Sequence, residues 1–214
     1  MASRFSHPKF EEKYDWLPPL LDLYYLSDLA TERFLSEKGF QGVKVGCRKG
    51  CSHCCSNMSV PLNEHEFKGI SWFICELYDS KDRKTIKNRL QNALTLTECP
   101  FLINNACQVY PVRPLICRQF HVALPACNGG EDIAKERPHA ILSPTPDFLF
   151  PVINHLLEMF GHLTRAQKAT AFDSGLLVER ARNIHEIDWR DTANLMDYYE
   201  RIGLEGVSKL TSTS

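Results

Sequence analysis

Nine cysteines lie in this chain, all between positions 47 and 127. Four of them fall within nine residues, at Cys47, Cys51, Cys54 and Cys55. Steps of two or three residues let a tight loop aim several thiolates at one point, and Gly50 permits the turn. Such a loop is hydrophilic and offers little apolar burial, so packing alone does not explain the cluster. Thiolate is a soft ligand, which favours zinc or an iron–sulfur cluster over magnesium or calcium.

The other five cysteines are spaced more widely along the chain, at Cys75, Cys99, Cys107, Cys117 and Cys127. The last four lie in or next to loops of residues 98–130, where Pro and Gly recur and no periodic pattern is visible. A segment of that length is uncommon in a compact domain unless something organises it, and a bound metal would do so. Cys75 lies instead on a predicted helix among apolar residues, and we interpret it as a packing residue.

The grouping of the thiols stays open at the level of sequence. Eight thiolates suffice for two sites of four, or for one cluster with spare thiols. Adjacent residues such as Cys54 and Cys55 rarely point the same way in an extended chain. They therefore serve different metal atoms, or one of them remains free.

Charged and imidazole side chains surround the cysteines in the sequence. Positive charge from Arg48, Lys49, Arg113 and Arg118 would lower thiol pKa values and partly offset the charge of a thiolate site. Two histidines, His53 and His121, are candidate ligands or proton carriers, although a supporting or surface role is the more ordinary interpretation.

Composition indicates an ordinary globular protein, with 43% hydrophobic and 24% charged residues. The formal net charge is -1, and the basic segment 81–89 has no interleaved aromatic residues, so we expect no nucleic-acid partner. The first residues lack the apolar core of a signal peptide, and no apolar run approaches the about 20 residues of a membrane span. With an odd number of cysteines, these features predict a cytoplasmic protein with reduced thiols and no membrane partner.

Helical periodicity dominates the sequence outside the cysteine-rich loops. We expect an N-terminal helix at about residues 16–38, capped by Asp15, and C-terminal helices within about 146–203. Asn63 precedes Glu66 at capping-box spacing and opens another helix. Alternation with period two is nearly absent.

The predicted fold class is therefore mainly α, with helices packed around an irregular, cysteine-rich, metal-binding loop region. We expect residues 1–214 to form a single domain, because no strong boundary interrupts the chain.

The order of these motifs resembles the YkgJ-like cysteine-cluster family, whose members are described as zinc- or iron-chelating or iron–sulfur proteins. The resemblance covers roughly residues 45–130. The matching segments are Cys47 to Cys55, Pro61 to Glu66, Cys99 to Leu102, Cys107 to Phe120 with its Tyr-x-x-Arg-Pro-x-x-Cys-Arg pattern, and Cys127. The resemblance implies this metal-binding set: Cys47, Cys51, Cys54, Cys55, Cys99, Cys107, Cys117 and Cys127. It also implies iron as a 4Fe–4S cluster in preference to zinc, which is the close alternative.

The functional prediction is a cysteine-ligated metal or iron–sulfur protein of unassigned role, such as an accessory or protein-modification factor with a protein substrate or partner. One alternative is a lysine methylase or radical enzyme that uses S-adenosylmethionine, because flagellin lysine N-methylases are similar in this region. Cys47-x3-Cys51-x2-Cys54 has the radical-enzyme spacing, but His53 replaces the usual aromatic residue and no βα-barrel pattern follows. The other alternative is a zinc-stabilised interaction module. The sequence predicts neither catalytic residues nor an oligomeric state.

Overall fold

The chain is mainly helical, as predicted, and its strands are very short. The computed structural model describes residues 2–48, 50–78, 81–128 and 131–199. The α-helices are α1 (Pro8–Lys13), α2 (Leu17–Phe40), α3 (His53–Asn57), α4 (Glu64–Trp72), α5 (Arg83–Gln91), α6 (Leu115–Gln119), α7 (Ile133–Glu136), α8 (Pro146–Met159), α9 (Arg165–Asp173) and α10 (Leu176–Glu179). Residues 190–199 are helical as well. The strands are β1 (Pro61–Leu62), β2 (Leu102–Ile103), β3 (Ala106–Cys107), β4 (His121–Val122), β5 (Ile141–Leu142) and β6 (Arg182–Asn183).

The N-terminal helix α2 lies within two residues of its predicted bounds. Pro18 and Pro19 occupy its first turn, where the missing N–H of proline is not needed. The helix packs along α8 and against α6. Its buried residues are Leu17, Leu20, Leu21, Leu23, Tyr24, Ser27, Ala30, Thr31 and Phe34. The helix follows Trp16, which makes no side-chain cap, so the prediction that Asp15 caps it is wrong.

Helix α4 opens at the predicted capping box. The side-chain oxygen of Asn63 accepts hydrogen bonds from the backbone N–H groups of His65 and Glu66, at 2.9 and 3.1 Å. In return, Oε2 of Glu66 accepts from the Asn63 backbone N–H at 2.8 Å. The helix continues directly into a π-turn, Phe73–Leu77. This reciprocal cap fixes the start of α4 beside the cysteine-rich loops.

The predicted C-terminal helices are present as α8, α9, α10 and the helical residues 190–199, while residues 200–203 of the predicted range lie outside the described residues. Helix α8 starts at Pro146, whose fixed φ suits a first helical position. Helix α9 has a capping box of Thr164 and Gln167. Between α10 and residue 190 the chain turns extended and forms β6.

The strands form three antiparallel two-stranded pairs, two of which join segments that are distant in sequence. Strand β1 pairs with β6, which places Pro61 opposite Asn183. Strands β2 and β3 form a hairpin, and β4 pairs with β5. Main-chain hydrogen bonds are thus used to close loops around the cysteines rather than to build a sheet.

The main apolar core collects side chains from both ends of the chain. Leu20, Ile70, Phe101 and Trp189 are fully buried in it. A second, small cluster of Val122, Ile133 and Ala140 lies under β4, and Cys47 and Cys127 pack against it. The cysteine-rich loops therefore lie between two apolar clusters.

Candidate metal centre

The first four cysteines lie on a turn and on the short helix α3. The carbonyl of Arg48 accepts a hydrogen bond from the backbone N–H of Cys51 at 3.0 Å, and Gly50 has a φ of 83°. That left-handed conformation favours glycine, so the predicted role of Gly50 is confirmed. Helix α3 then carries Cys54 and Cys55. Lys49, which we named as a source of positive charge, lies outside the described residues.

A hairpin brings Cys99 and Cys107 together. The residues Asn104 and Asn105 form its turn with φ values of 51° and 58°, as two-residue hairpin turns with asparagine do. Leu102 lies opposite Cys107 in the β2–β3 register, and its N–H donates to the carbonyl of Cys99 at 3.0 Å. The hairpin is attached to α3, because the N–H of Cys99 donates to the carbonyl of Cys55 at 2.8 Å.

Glu66 positions the helix that carries Cys117. Its Oε1 accepts a hydrogen bond of 2.6 Å from the backbone N–H of Leu115, the first residue of α6. The side chain is almost fully buried, and burial raises the pKa of Glu66 to about 7. Sequence reasoning found the capping role of Glu66 but missed this second contact, because it joins residues 49 positions apart.

Arg118 holds the loop before Cys117 against α2. Its guanidinium donates to the carbonyls of Arg113 and Pro111 at 2.9 and 2.5 Å, and to Oδ2 of Asp28 at 2.6 Å. It also lies over the ring of Tyr24, 4.2 Å from the centroid. Only 3% of Arg118 is exposed, so this arginine organises the loop from inside. A planar group with several fixed donors suits that task.

Four thiols, which we call the inner thiol group, lie within electrostatic range of one another: Cys54, Cys99, Cys107 and Cys117. The charges of Cys99, Cys107 and Cys54 each raise the pKa of Cys117. Cys99 is coupled in the same way to Cys107 and Cys54, and Cys107 to Cys54. Four thiols make six pairs, and all six are therefore within electrostatic range of each other.

Burial is the first cause of the high pKa values in most of this group. It raises the pKa of Cys99 to about 12 and that of Cys117 well above its ordinary value. For Cys54 the first cause is a hydrogen bond with the Cys55 thiol, and burial adds to it. These thiols therefore stay protonated at neutral pH until a cation replaces their protons.

Positive charge lies close to the inner thiol group. The charges of Arg113 and Arg118 lower the pKa of Cys107 after burial has raised it, which agrees with the predicted role of these arginines. Sequence reasoning missed Arg89, whose guanidinium donates to the carbonyls of Cys99 and Pro100 at 2.9 and 3.0 Å. Although α5 is a basic helix, this arginine therefore binds an internal loop.

Three more thiols, which we call the outer thiol group, are electrostatically coupled to one another: Cys47, Cys51 and Cys127. Burial first raises the pKa values of Cys47 and Cys127. The charge of Cys51 adds to the rise in both, and the charge of Cys47 adds to that of Cys127. Cys47 is also within electrostatic range of Cys54, so the two groups are neighbours.

The thiols of both groups are free, and their sulfur atoms have not converged. Within the described ranges no three Cys, His, Asp or Glu side chains meet in an arrangement that could hold a metal ion. The eight-cysteine ligand set therefore stays a prediction. Cys75 lies apart in the main core, only 6% exposed, and its thiol donates to the carbonyl of Thr192 at 3.6 Å.

The two candidate histidines lie in different surroundings. His53 opens α3, and its charge contributes to the lowered pKa of Glu131, after the larger effects of Arg137 and the Asn128 backbone. His121 lies on β4, where burial lowers its pKa and Nδ1 has no hydrogen-bond partner among the described residues. Of the two, His53 lies on the same helix as Cys54 and Cys55.

Comparison with known proteins agrees with this location of the site. Residues 46–140 match the model of the family CxxCxxCC, described as a putative zinc- or iron-chelating domain. This stretch contains every cysteine of the chain, and the match confirms the resemblance to a cysteine-cluster family. No curated protein and no solved structure matches the chain. Among the described residues, no helix combines the length and the apolar character that crossing a membrane requires.

Proposed function

We propose that this protein binds iron or zinc through the inner thiol group, with a 4Fe–4S cluster as the preferred centre and zinc as the alternative. The observation that carries the proposal is that the β2–β3 hairpin, attached to α3 by the hydrogen bond from Cys99 N–H to the Cys55 carbonyl, brings Cys99 and Cys107 beside Cys54. Cys117 is within electrostatic range of all three. Four thiolates around one centre are the ligand set of both a structural zinc and a 4Fe–4S cluster.

The surroundings of the inner thiol group suit a thiolate-bound metal. The backbone N–H groups of Phe101 and Val109 donate to the sulfurs of Cys99 and Cys107 and lower their pKa values, against the larger effect of burial. Such N–H···S bonds stabilise metal-bound thiolates and tune a cluster. When bound, iron–sulfur would supply one-electron chemistry, whereas zinc would supply structural cross-linking of the loops.

The cellular role that we propose is an accessory or protein-modification factor, in the cytoplasm, with a protein as substrate or partner. All nine cysteines are free, which fits a reducing compartment. The proposal does not extend to a methylase or radical enzyme. The described residues form no βα-barrel, and Cys54, the third cysteine of the radical spacing, is coupled to Cys99, Cys107 and Cys117.

Anaerobic purification followed by metal and acid-labile sulfide analysis tests the identity of the centre. An iron–sulfur protein is brown, with broad visible absorption and equal amounts of iron and sulfide. A colourless protein with stoichiometric zinc would replace the cluster by the zinc alternative and favour a structural role. A protein with neither metal under these conditions would contradict the proposal altogether.

Cys107→Ser and Cys75→Ser form a matched pair for the same measurement. Both remove one thiol, but only Cys107 belongs to the inner thiol group. We expect Cys107→Ser to lose the metal and Cys75→Ser to retain it. Equal loss in the two variants would show that the metal depends on the fold in general rather than on these ligands.

A further inference from the structure

The first residues of the chain contact an aromatic surface far from the cysteines in sequence. Residues 2–14, which we call the N-terminal strap, pack against Trp72 and Phe73, which we call the aromatic platform. The ring of Phe10 meets that of Trp72 edge-on, with centroids 5.6 Å apart, and Phe5 meets Phe73 in the same way at 6.4 Å. Edge-to-face pairs are favourable contacts between aromatic rings. With the strap in place, both platform residues are buried.

The strap also pairs with carboxylates on either side of the platform. Nε of Arg4 donates to Oδ1 of Asp22 on α2 at 2.5 Å. Nζ of Lys13 and the hydroxyl of Tyr14 donate to the carboxylate of Glu76 in the π-turn, at 2.9 and 2.6 Å. The surface that the strap contacts therefore combines an aromatic floor with an acidic rim.

The strap is organised around a carboxylate of its own, Glu11. Oε2 of Glu11 accepts a hydrogen bond from the Arg4 guanidinium at 2.8 Å. Oε1 accepts from the backbone N–H of His7 at 2.7 Å and from the Ser6 hydroxyl at 2.9 Å. Helix α1, which lies within the strap, contains no buried residue. A segment with internal hydrogen bonds and little burial is of the kind that opens locally as one unit.

The contacts that fasten the strap are partly open to solvent. The side chains of Asp22 and Lys13 are 48% and 51% exposed, and ion pairs at such positions contribute little because water and salt screen them. Nε1 of Trp72 has no hydrogen-bond partner among the described residues. The strap therefore covers the platform without satisfying all of its polar groups.

We infer that the aromatic platform and its acidic rim are a docking surface for a protein segment with two aromatic side chains flanked by basic residues. The strap occupies this surface until such a segment displaces it. Charge complementarity defines the partner, because Asp22 and Glu76 favour a basic segment, and the strap itself has two phenylalanines between an arginine and a lysine. The inference rests on the proposed function only in giving the chain a protein partner, and it does not depend on the metal.

A fluorescent peptide of residues 2–16, added to the full chain, tests the docking surface by fluorescence anisotropy. The double variant Phe5→Ser/Phe10→Ser removes the rings that seat the strap and leaves Trp72 and Phe73 unchanged. A closed strap lowers the apparent affinity by the fraction of chains that are open. We therefore expect the double variant to bind the peptide at least about tenfold more tightly than wild type does.

Phe40→Ser/Phe150→Ser is the matched control, because it removes two exposed phenylalanines outside the strap. It should bind the peptide as weakly as wild type. A peptide that carries Phe5→Ser and Phe10→Ser should not bind the double variant. Equal affinities of wild type and the double variant, or equal binding of the two peptides, would overturn the inference.

Arg4→Glu gives the same comparison if the double variant does not fold. It places like charge beside Asp22 and Glu11 at a position that is partly exposed, so it should loosen the strap and also tighten peptide binding. Wild-type affinity in this variant would count against the strap as well. Metal content of the same preparations keeps the two proposals apart: protein that holds its metal but shows no strap effect refutes the docking surface alone.

Discussion

The inner and outer thiol groups differ in what positions them. Buried side chains surround the inner thiols: Glu66 fixes the start of α6, and Arg118 anchors the loop that leads into it. The outer thiols depend on main-chain contacts around Gly46, next to a small apolar cluster. The two thiol groups of one cysteine-rich region are therefore supported in separate ways and should respond to separate mutations.

This difference has an energetic consequence. Burial of the inner thiols opposes their ionisation so strongly that the pKa of Cys99 reaches about 12. A metal must displace those protons, and its binding energy then contributes to the stability of the whole core. The outer thiol group rests on a three-residue cluster of Val122, Ile133 and Ala140, so loss of an outer thiol should destabilise less of the protein.

The largest expected effect is loss of an inner ligand. We expect Cys99→Ser to remove the inner metal and to lower the free energy of unfolding by about 4 kcal/mol, the linkage value for free metal at about 1,000 times the dissociation constant. Urea unfolding at fixed free metal measures it. We expect Cys127→Ser to cost less than half as much. Equal losses for the two variants would abolish the distinction between the groups.

Removal of the arginine inside the loop should come next. Arg118→Met leaves two backbone carbonyls without their donor and leaves Asp28 with Arg113 as its remaining ion-pair partner. Removing a buried charged group with three hydrogen bonds costs about 3 kcal/mol. Arg118→Lys should recover little, because an ammonium cannot reproduce the three-way fork. Chemical denaturation provides the measurement, with the inner metal content as a second readout.

The exposed pair of Arg190 and Asp188 is the control for Arg118. Both side chains are largely exposed, at 65% and 46%, so Arg190→Met should cost less than about 1 kcal/mol. A similar cost for Arg190→Met and Arg118→Met would mean that the loop before Cys117 does not depend on its buried arginine.

Glu66 should give the stability of the protein a pH dependence. Burial raises its pKa from an ordinary 4.5 to about 7. Below pH 4.5 the carboxyl is protonated in both the folded and the unfolded chain. As the pH rises from 4.5 to 7, the unfolded chain releases a proton that the folded chain retains, so stability falls, and it is not lost further above 7.

The size of that fall and its test follow from the same shift. At 1.36 kcal/mol per pKa unit the loss is roughly 3 kcal/mol at most. Unfolding of wild type and Glu66→Gln between pH 4 and 8 should show this fall in the wild type only. Glu64→Gln, at an exposed neighbouring position, should keep the wild-type profile. If the stability of Glu66→Gln fell with pH as that of the wild type does, the pH dependence would come from groups other than Glu66.

Local features of the fold were predictable from sequence. The capping box at Asn63, the prolines in the first turn of α2 and the left-handed Gly50 each depend on residues within a few positions of each other. The cysteine-rich location of the site was also predictable, because residue type and spacing report ligand chemistry directly.

Long-range contacts were not predictable in the same way. The bond from Leu115 to Glu66 and the pair of Arg118 with Asp28 join residues 49 and 90 positions apart. No local pattern encodes which backbone N–H a buried carboxylate will meet. The division of the thiols into an inner and an outer group also depends on long-range contacts, since the hairpin places Cys99 and Cys107 beside Cys54.

The smallest expected effect comes from a glycine substitution next to the outer thiol group. Gly46→Ala pushes a methyl against the backbone of Ala126, which cannot move as a side-chain tip would, and overpacking of this kind costs about 1 to 2 kcal/mol. The strain lies between Cys47 and Cys127, so we expect the metal content of the inner thiol group to stay unchanged. Gly39→Ala is the control: it lies in α2, and outside the helix itself no atom of the described residues lies within 4 Å of the new Cβ. Alanine in a helix should stabilise the protein by up to about 1 kcal/mol. If Gly46→Ala lowered the metal content of the inner thiol group as well, the main-chain contacts at Gly46 would support the cysteine-rich region as a whole, and the outer thiol group would have no support of its own.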